Sequence, residues 1–224
     1  MARAKVGSSS ARASRPSPAE SELRQRILTA GESVFASAGY AGATVDDVIK
    51  AAQTSRASFY RYFKSKDDLF RELSLECFRE MREVIRQFGT VATADPAATH
   101  DQLVAAVAAY RDLHGRHGGV IRAWTERAAP PDSPIRAQAS EVFDALLGEM
   151  ERALRAAGTR TGGDTEVQAA LMFLAIERSS FFVSNRHSRV DPDRLAPTLG
   201  TMLHRAYFGG EPSARKRKLR IAGR

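Results

Sequence analysis

Along most of this chain apolar residues recur every three or four positions, the period of an α-helix, and no stretch alternates apolar and polar residues as a half-buried strand would. Leu23, Ile27, Leu28, Val34 and Phe35 mark a helix over 20–38 that stops at Gly39. Thr44, followed by Asp46 and Asp47, is a start signal: its hydroxyl can cap free N–H groups, and carboxylates suit the positive end of a helix dipole. It opens a predicted helix over 45–52 with Val48, Ile49 and Ala52 turned inward. Ser55 can cap a shorter helix over 56–62. A long one over 66–88 then starts at Asp67 and Asp68 and carries the stripe Leu69, Phe70, Leu73, Cys77, Phe78, Met81 and Ile85. Past Gly89 comes the small-residue linker VATADPAAT. Five more helices are predicted, over 98–115, 118–128, 134–157, 165–187 and 192–208, separated at Gly118-Gly119, Pro130-Pro131, Gly162-Gly163 and the segment ending in Pro192. The expectation is an all-α chain of about nine helices.

Two of these helices differ from the rest. The segment AALMFLAIERSSFFV is apolar around its whole circumference at 169–176, which predicts burial on more than one side, against a cavity on one face and a second subunit on another. Glu177 and Arg178 interrupt it, either as an ion pair with another helix or as a polar anchor for a ligand. The last helix places Leu195, Leu199, Met202, Leu203 and Tyr207 on a stripe at the end of the chain, which predicts a four-helix homodimer interface with 165–187.

Composition narrows the setting. At 224 residues, 43% hydrophobic and 27% charged, the chain can bury a sizeable core. No fully apolar run approaches the roughly 18 residues of a membrane span. The basic N-terminus lacks the apolar stretch of a secretory signal. A single cysteine, Cys77, excludes an internal disulfide and fits a reduced, cytoplasmic setting. The net charge of +8 is unevenly spread. Residues 1–19 and 213–224 hold ten Lys and Arg and no acid, so residues 20–212 are slightly acidic as a whole. Within that body, 48–66 carries Lys50, Arg56, Arg61, Lys64 and Lys66 against no acid. One focused segment and two basic ends suit a polyanionic partner, although the ends could equally serve solubility.

The focused segment reads QTSRASFYRYFKSKDDLF, four aromatic residues within five positions among basic ones. On a helix over 56–62, Phe59 and Phe63 share a face and can pack inward. Tyr60, Arg61 and Tyr62 then point away, and with Arg56, Ala57 and Ser58 they form a surface of donors, rings and positive charge. That surface suits a DNA major groove, where Arg bonds guanine edges bidentately. Lys64 and Lys66 lie close enough to hold the phosphate backbone. Two short helices joined by a tight turn are a helix-turn-helix signature. No nucleophile elbow, P-loop, Rossmann glycine pattern or C-x-x-C occurs, so no enzyme and no cofactor is expected. His114 and His117 are spaced to share a helix face, but nothing nearby supplies them with carboxylate or thiolate ligands, so no metal site is expected.

Over residues 21–72 the chain resembles the TetR family of bacterial transcriptional regulators, in the stretch ATVDDVIKAAQTSRASFYRYFKSKDDLF. The resemblance implies that Arg56, Ala57, Ser58, Tyr60 and Arg61 face bases and that Thr44, Tyr62 and Lys66 contact phosphates of a palindromic double-stranded operator. Gln53-Thr54 departs from the family pattern, which usually has Gly followed by an apolar residue; Gln can adopt the turn at modest cost. The implied organisation is a basic tail over 1–19, a DNA-binding domain over 20–65, and a ligand-binding and dimerisation domain over 66–210. Helix 66–88 connects the two domains, and a second tail covers 211–224. VIRAWTERA and LMFLAIERSSFF are similar to mycobacterial repressors of the ethionamide-resistance type, which would place Leu103, Val107, Tyr110, Trp124, Val142, Leu146, Phe173, Ile176, Glu177 and Phe181 around a small, mainly hydrophobic effector. An ordinary core position accounts for each of these equally well. The expected function is a repressor released from DNA by that effector. Rival readings are a constitutive DNA binder and a carrier or enzyme on a helical scaffold.

Overall fold

Ser and Thr side chains set the first four helices. A computed structural model describes residues 17–91, 95–125, 134–158, 164–184 and 189–209. Helix α1, Pro18–Gly42, starts earlier than predicted because Ser17 and Glu20 form a reciprocal capping box ahead of Pro18. Thr44 and Asp47 do the same for α2, Val45–Ala51. Ser55 caps α3, Arg56–Tyr62, and Ser65 caps α4, Lys66–Gly89. Caps of this kind contribute about 1 kcal/mol each. The path breaks at Gly39, whose φ of 70° lies in the left-handed region, so helix 1 ends in practice where the sequence predicted.

The remaining helices are α5, Pro96–Thr125; α6, Pro134–Ala157; α7, Thr165–Ser184; and α8, Pro192–Leu203, which runs into a π-helical turn at His204–Phe208. Among the described residues there are eight α-helices and no strand. Both basic tails up to residue 16 and from 210, and the breaks at Pro130-Pro131 and Gly162-Gly163, lie outside the described residues.

One correction concerns α5. The predicted helices 98–115 and 118–128 meet without a loop: the break comes at His117, non-helical at φ −110° and ψ 16°, and the chain continues as helix beyond it. Gly118-Gly119, just past the kink, lets α5 press onto α1. A Cβ on Gly119 would stand 2.4 Å from the backbone N of Ala36 and 2.7 Å from the carbonyl carbon of Phe35. Helix α5 therefore packs on α1 and α4 at one end and on α7 and α8 at the other. Phe59, Phe63, Leu69 and Phe70 form the core under α3, and Phe78, Leu103, Val107, Ile121 and Leu146 continue it into the C-terminal bundle.

A second correction concerns the chain end. Leu199 and Leu203 are buried in their own protomer and Leu195 and Tyr207 are half-buried, leaving only Met202 of the predicted stripe fully outward. The open apolar face lies on α7 instead, where Val167, Leu171, Leu174 and Phe182 are each more than half exposed. Helix α7 is thus buried on one side only. By length and composition it is the one helix among the described residues that could cross a membrane. It carries Glu166, Gln168, Glu177 and Arg178 and packs on α5, α6 and α8.

Candidate nucleic-acid interface

The turn between α2 and α3 is built without the expected glycine. Gln53 takes φ 50°, the left-handed conformation, and Gln53 N–H and Thr54 N–H return to the carbonyls of Lys50 and Ile49. A β-carbon there costs about 1 kcal/mol relative to glycine. The turn sends α3 out with Phe59 fully buried and Phe63 just behind it, as the aromatic spacing predicts. Arg56, Ala57, Tyr60, Arg61 and Lys64 are exposed, and Ser58 is half-buried with its hydroxyl bonded to Ser55 at 2.9 Å. Tyr60 stands edge-on to Phe59. Thr44 is exposed at the start of α2.

Three predicted contacts sit differently from expectation. Tyr62 does not point away: it is half-buried against the core, and its hydroxyl is enclosed with no partner in the protein. Lys66 is drawn inward because α1 ends in free carbonyls. Its ammonium donates to Tyr40 O at 2.8 Å and Ala43 O at 3.0 Å and lies over the Tyr40 ring. Arg56 reaches back to Asp46 at 2.5 Å across an exposed pair. Such pairs contribute little and separate readily near a polyanion.

The ten residues expected around an effector lie on helices α5, α6 and α7. Leu103, Val107, Tyr110, Leu146 and Ile176 are fully enclosed, Trp124, Val142 and Glu177 nearly so, and Phe173 and Phe181 are half-buried. Trp124 stacks on Phe78 and donates its N–H to Ser74 Oγ at 3.3 Å. Phe173 meets Tyr110 and Phe143 edge-on. Glu177 has an Arg178 guanidinium at 3.5 Å from its own helix, not the interhelical partner anticipated.

Sequence reasoning missed His114. It is buried between Tyr110 and Phe181, and neither of its ring nitrogens has a protein partner; the Tyr110 hydroxyl has none either. Burial, aided by Arg178, lowers the His114 pKa to about 4, so the imidazole is neutral; burial likewise pushes the Tyr110 hydroxyl well up. The pair offers uncharged donors and an acceptor inside an aromatic core. An open surface recess of about 700 Å³ lies elsewhere, between α1 and the α2–α3 turn, lined in part by Glu22, Arg26 and Gln53.

Carboxylates do approach His117, contrary to the sequence reading: Glu32 of α1 stands 2.5 Å from Nδ1 and Glu80 of α4 3.2 Å from Nε2. They lie on opposite edges of the ring and cannot chelate one ion with it. Among the described residues no three His, Cys, Asp or Glu are grouped to hold a metal.

Residues 27–73 match the family model described as "Bacterial regulatory proteins, tetR family". That stretch spans α2, α3, the turn and most of α1. Residues 27–73 therefore form a DNA-binding domain of the TetR family. A curated relative, the HTH-type transcriptional repressor DhaR of Mycobacterium sp. (strain GP1), is 24% identical over 61% of this chain and 67% of its own. Two solved structures share the fold: MbdR regulator from Azoarcus sp. CIB at TM-score 0.67, 18% identity and coverage of 82% and 98%, and FadR from Bacillus subtilis in complex with stearoyl-CoA at 0.53, 19%, 84% and 100%. The matched family model and the relatives' names point to a DNA-binding regulator of transcription, not an enzyme.

Proposed function

We propose that the protein is a cytoplasmic, homodimeric repressor that reads a palindromic operator through α3 and leaves it when a small, mainly apolar effector enters the C-terminal bundle. The observation that carries this reading is one kinked helix, α5, which touches α1 of the reader and also lines the aromatic core with its unpartnered polar groups. Arg56, Ala57, Ser58, Tyr60 and Arg61 face bases. Thr44 and Lys64 meet phosphates, and Lys66 and Tyr62 support the reading helix from behind. Residues 20–65 act as the reader and 66–210 as the sensor.

The open face of α7 with Met202 of α8 supports dimerisation, because four exposed apolar side chains along one helix are better covered than left in water. A two-fold axis there sets the two α3 helices at successive major grooves, roughly 34–36 Å apart or a multiple of it. The effector acts by favouring a conformation in which that spacing is lost.

Its apolar body belongs among Leu103, Val107, Val142 and Leu146, and an uncharged polar group such as a carbonyl or hydroxyl meets the Tyr110 hydroxyl and His114. Buried polar groups of this kind are worth most when a partner satisfies them. The stearoyl-CoA held by the FadR structure makes a long-chain acyl thioester a suitable first probe. It should release the protein from its own upstream intergenic DNA, followed by fluorescence anisotropy, and Tyr110→Phe should weaken that release roughly tenfold without altering DNA affinity. Release that is indifferent to Tyr110→Phe contradicts this placement.

A further inference from the structure

His117 sits where three helices meet, at the kink of α5, with 3% of its side chain exposed. Its Nδ1 lies 2.5 Å from Glu32 Oε1 on α1, and its Nε2 lies 3.2 Å from Glu80 Oε1 on α4. Neither nitrogen is aligned for a hydrogen bond, so the contacts are close charge pairs; two carboxylates at these distances favour the imidazolium, and they join a helix of the reader to one that runs into the sensor.

The surroundings are built to hold that arrangement. Arg116 of α5 bonds Glu80 at 2.6 and 3.0 Å. Two residues past His117, Gly119 brings the α5 backbone against Phe35 and Ala36, and Arg122 donates to the Phe35 carbonyl at 3.1 Å. Cys77 of α4 lies in the same cluster, and burial and the neighbouring Glu80 and Glu32 keep its thiol neutral. Glu76 of α4 adds a more distant negative charge.

We propose that His117 is a positioning residue, a protonated pin between Glu32 and Glu80 that holds the reader at a fixed angle to the sensor and makes operator binding depend on its charge. This inference rests on the reader-and-sensor reading above. Without the pin, α1 samples more orientations, the fraction of molecules with correctly spaced reading helices falls, and apparent operator affinity falls in proportion.

Burial opposes the charge on His117, but the two carboxylates outweigh it and raise its pKa above the ordinary histidine value of 6.5. A raised folded-state pKa gives stabilisation that is complete below 6.5 and is lost as pH climbs through the folded value. The window to examine therefore runs from pH 6 upward. The DNA-facing surface is silent there: the five histidines are His100, His114, His117, His187 and His204, and none precedes residue 100. Arg, Lys and Tyr do not titrate between pH 6 and 8.5.

The test compares wild type, His117→Gln and Glu32→Gln, each full length, for affinity to the upstream intergenic DNA and to random duplex at pH 6.0–8.5. Wild type should lose up to about tenfold in operator affinity across that range. Both variants should give flat profiles, and random duplex should change less. An operator preference with parallel pH slopes in all three proteins overturns the pin. Thermal unfolding provides a readout free of DNA: the Tm advantage of wild type over His117→Gln should shrink from pH 6.0 to 8.5. If neither duplex is preferred at any pH, the proposed function fails, and a pH-independent Tm difference then overturns the pin as well.

Discussion

The N-terminal reader and the C-terminal core use the same residue types in opposite ways. On α3, Tyr60 and Arg61 are turned outward on a seven-residue helix whose one buried anchor is Phe59. In the bundle, Tyr110 and His114 are turned inward, and their polar atoms have no protein partner. On the proposed function, the surface chemistry serves a macromolecule and the enclosed chemistry a small effector. The two are joined by α5, whose His117 and Gly119 face the reader and whose Tyr110 and His114 face the core.

Breaking the assembly should have the largest effect. Leu174→Glu places a carboxylate in the open apolar face of α7 without disturbing the protomer core, since Leu174 is 54% exposed. Sedimentation should show a monomer, and operator affinity should fall at least a hundredfold because one reading helix alone cannot span two grooves. A Leu174→Glu protein that stays dimeric shifts the interface away from α7.

Next comes the joint. Gly119→Ala drives a methyl into the backbone of Ala36 and should cost about 1–3 kcal/mol of stability, as overpacking does. Effector response should weaken along with it, because α5 and α1 can no longer meet closely. Chemical denaturation measures the first effect and release from DNA the second. A variant of unchanged stability would mean that the two helices separate easily.

The smallest effect concerns the turn. Gln53→Gly relieves a left-handed β-carbon and should stabilise the protein by about 0.5–1 kcal/mol in thermal unfolding. It should leave base preference unchanged. Destabilisation would show that the Gln53 side chain holds the turn.

How much of this was legible in the sequence follows the same division. The reader was legible because caps, helical spacing and the FYRYF run are local signals, and they placed Phe59 and Phe63 inward and Arg56, Tyr60 and Arg61 outward. Two of its details were not. Lys66 turns to the free carbonyls of α1, and Tyr62 folds back on the core, and both depend on neighbours distant in sequence. In the bundle the apolar stripes gave the helices but not their directions. A glycine pair read as a helix break lies just past a kink at His117 and is also a packing contact, which leaves no mark in the sequence distinguishable from a turn. The open face of α7 was hidden by its all-round apolarity, and the His117 bridge by the 85 residues that separate it from Glu32.

The central claim is that the outward face of α3 reads bases. Binding of wild type, Arg56→Ala and Arg61→Ala to the upstream intergenic DNA and to random duplex at near-physiological salt tests it most directly. Wild type should prefer the former by a thousandfold or more, about the low end for specific regulators. Each Arg variant should lose about 1–3 kcal/mol of that preference while its affinity for random duplex changes far less. If both variants keep the full preference and weaken on the two DNAs equally, these arginines touch only phosphates and α3 is not the reading surface.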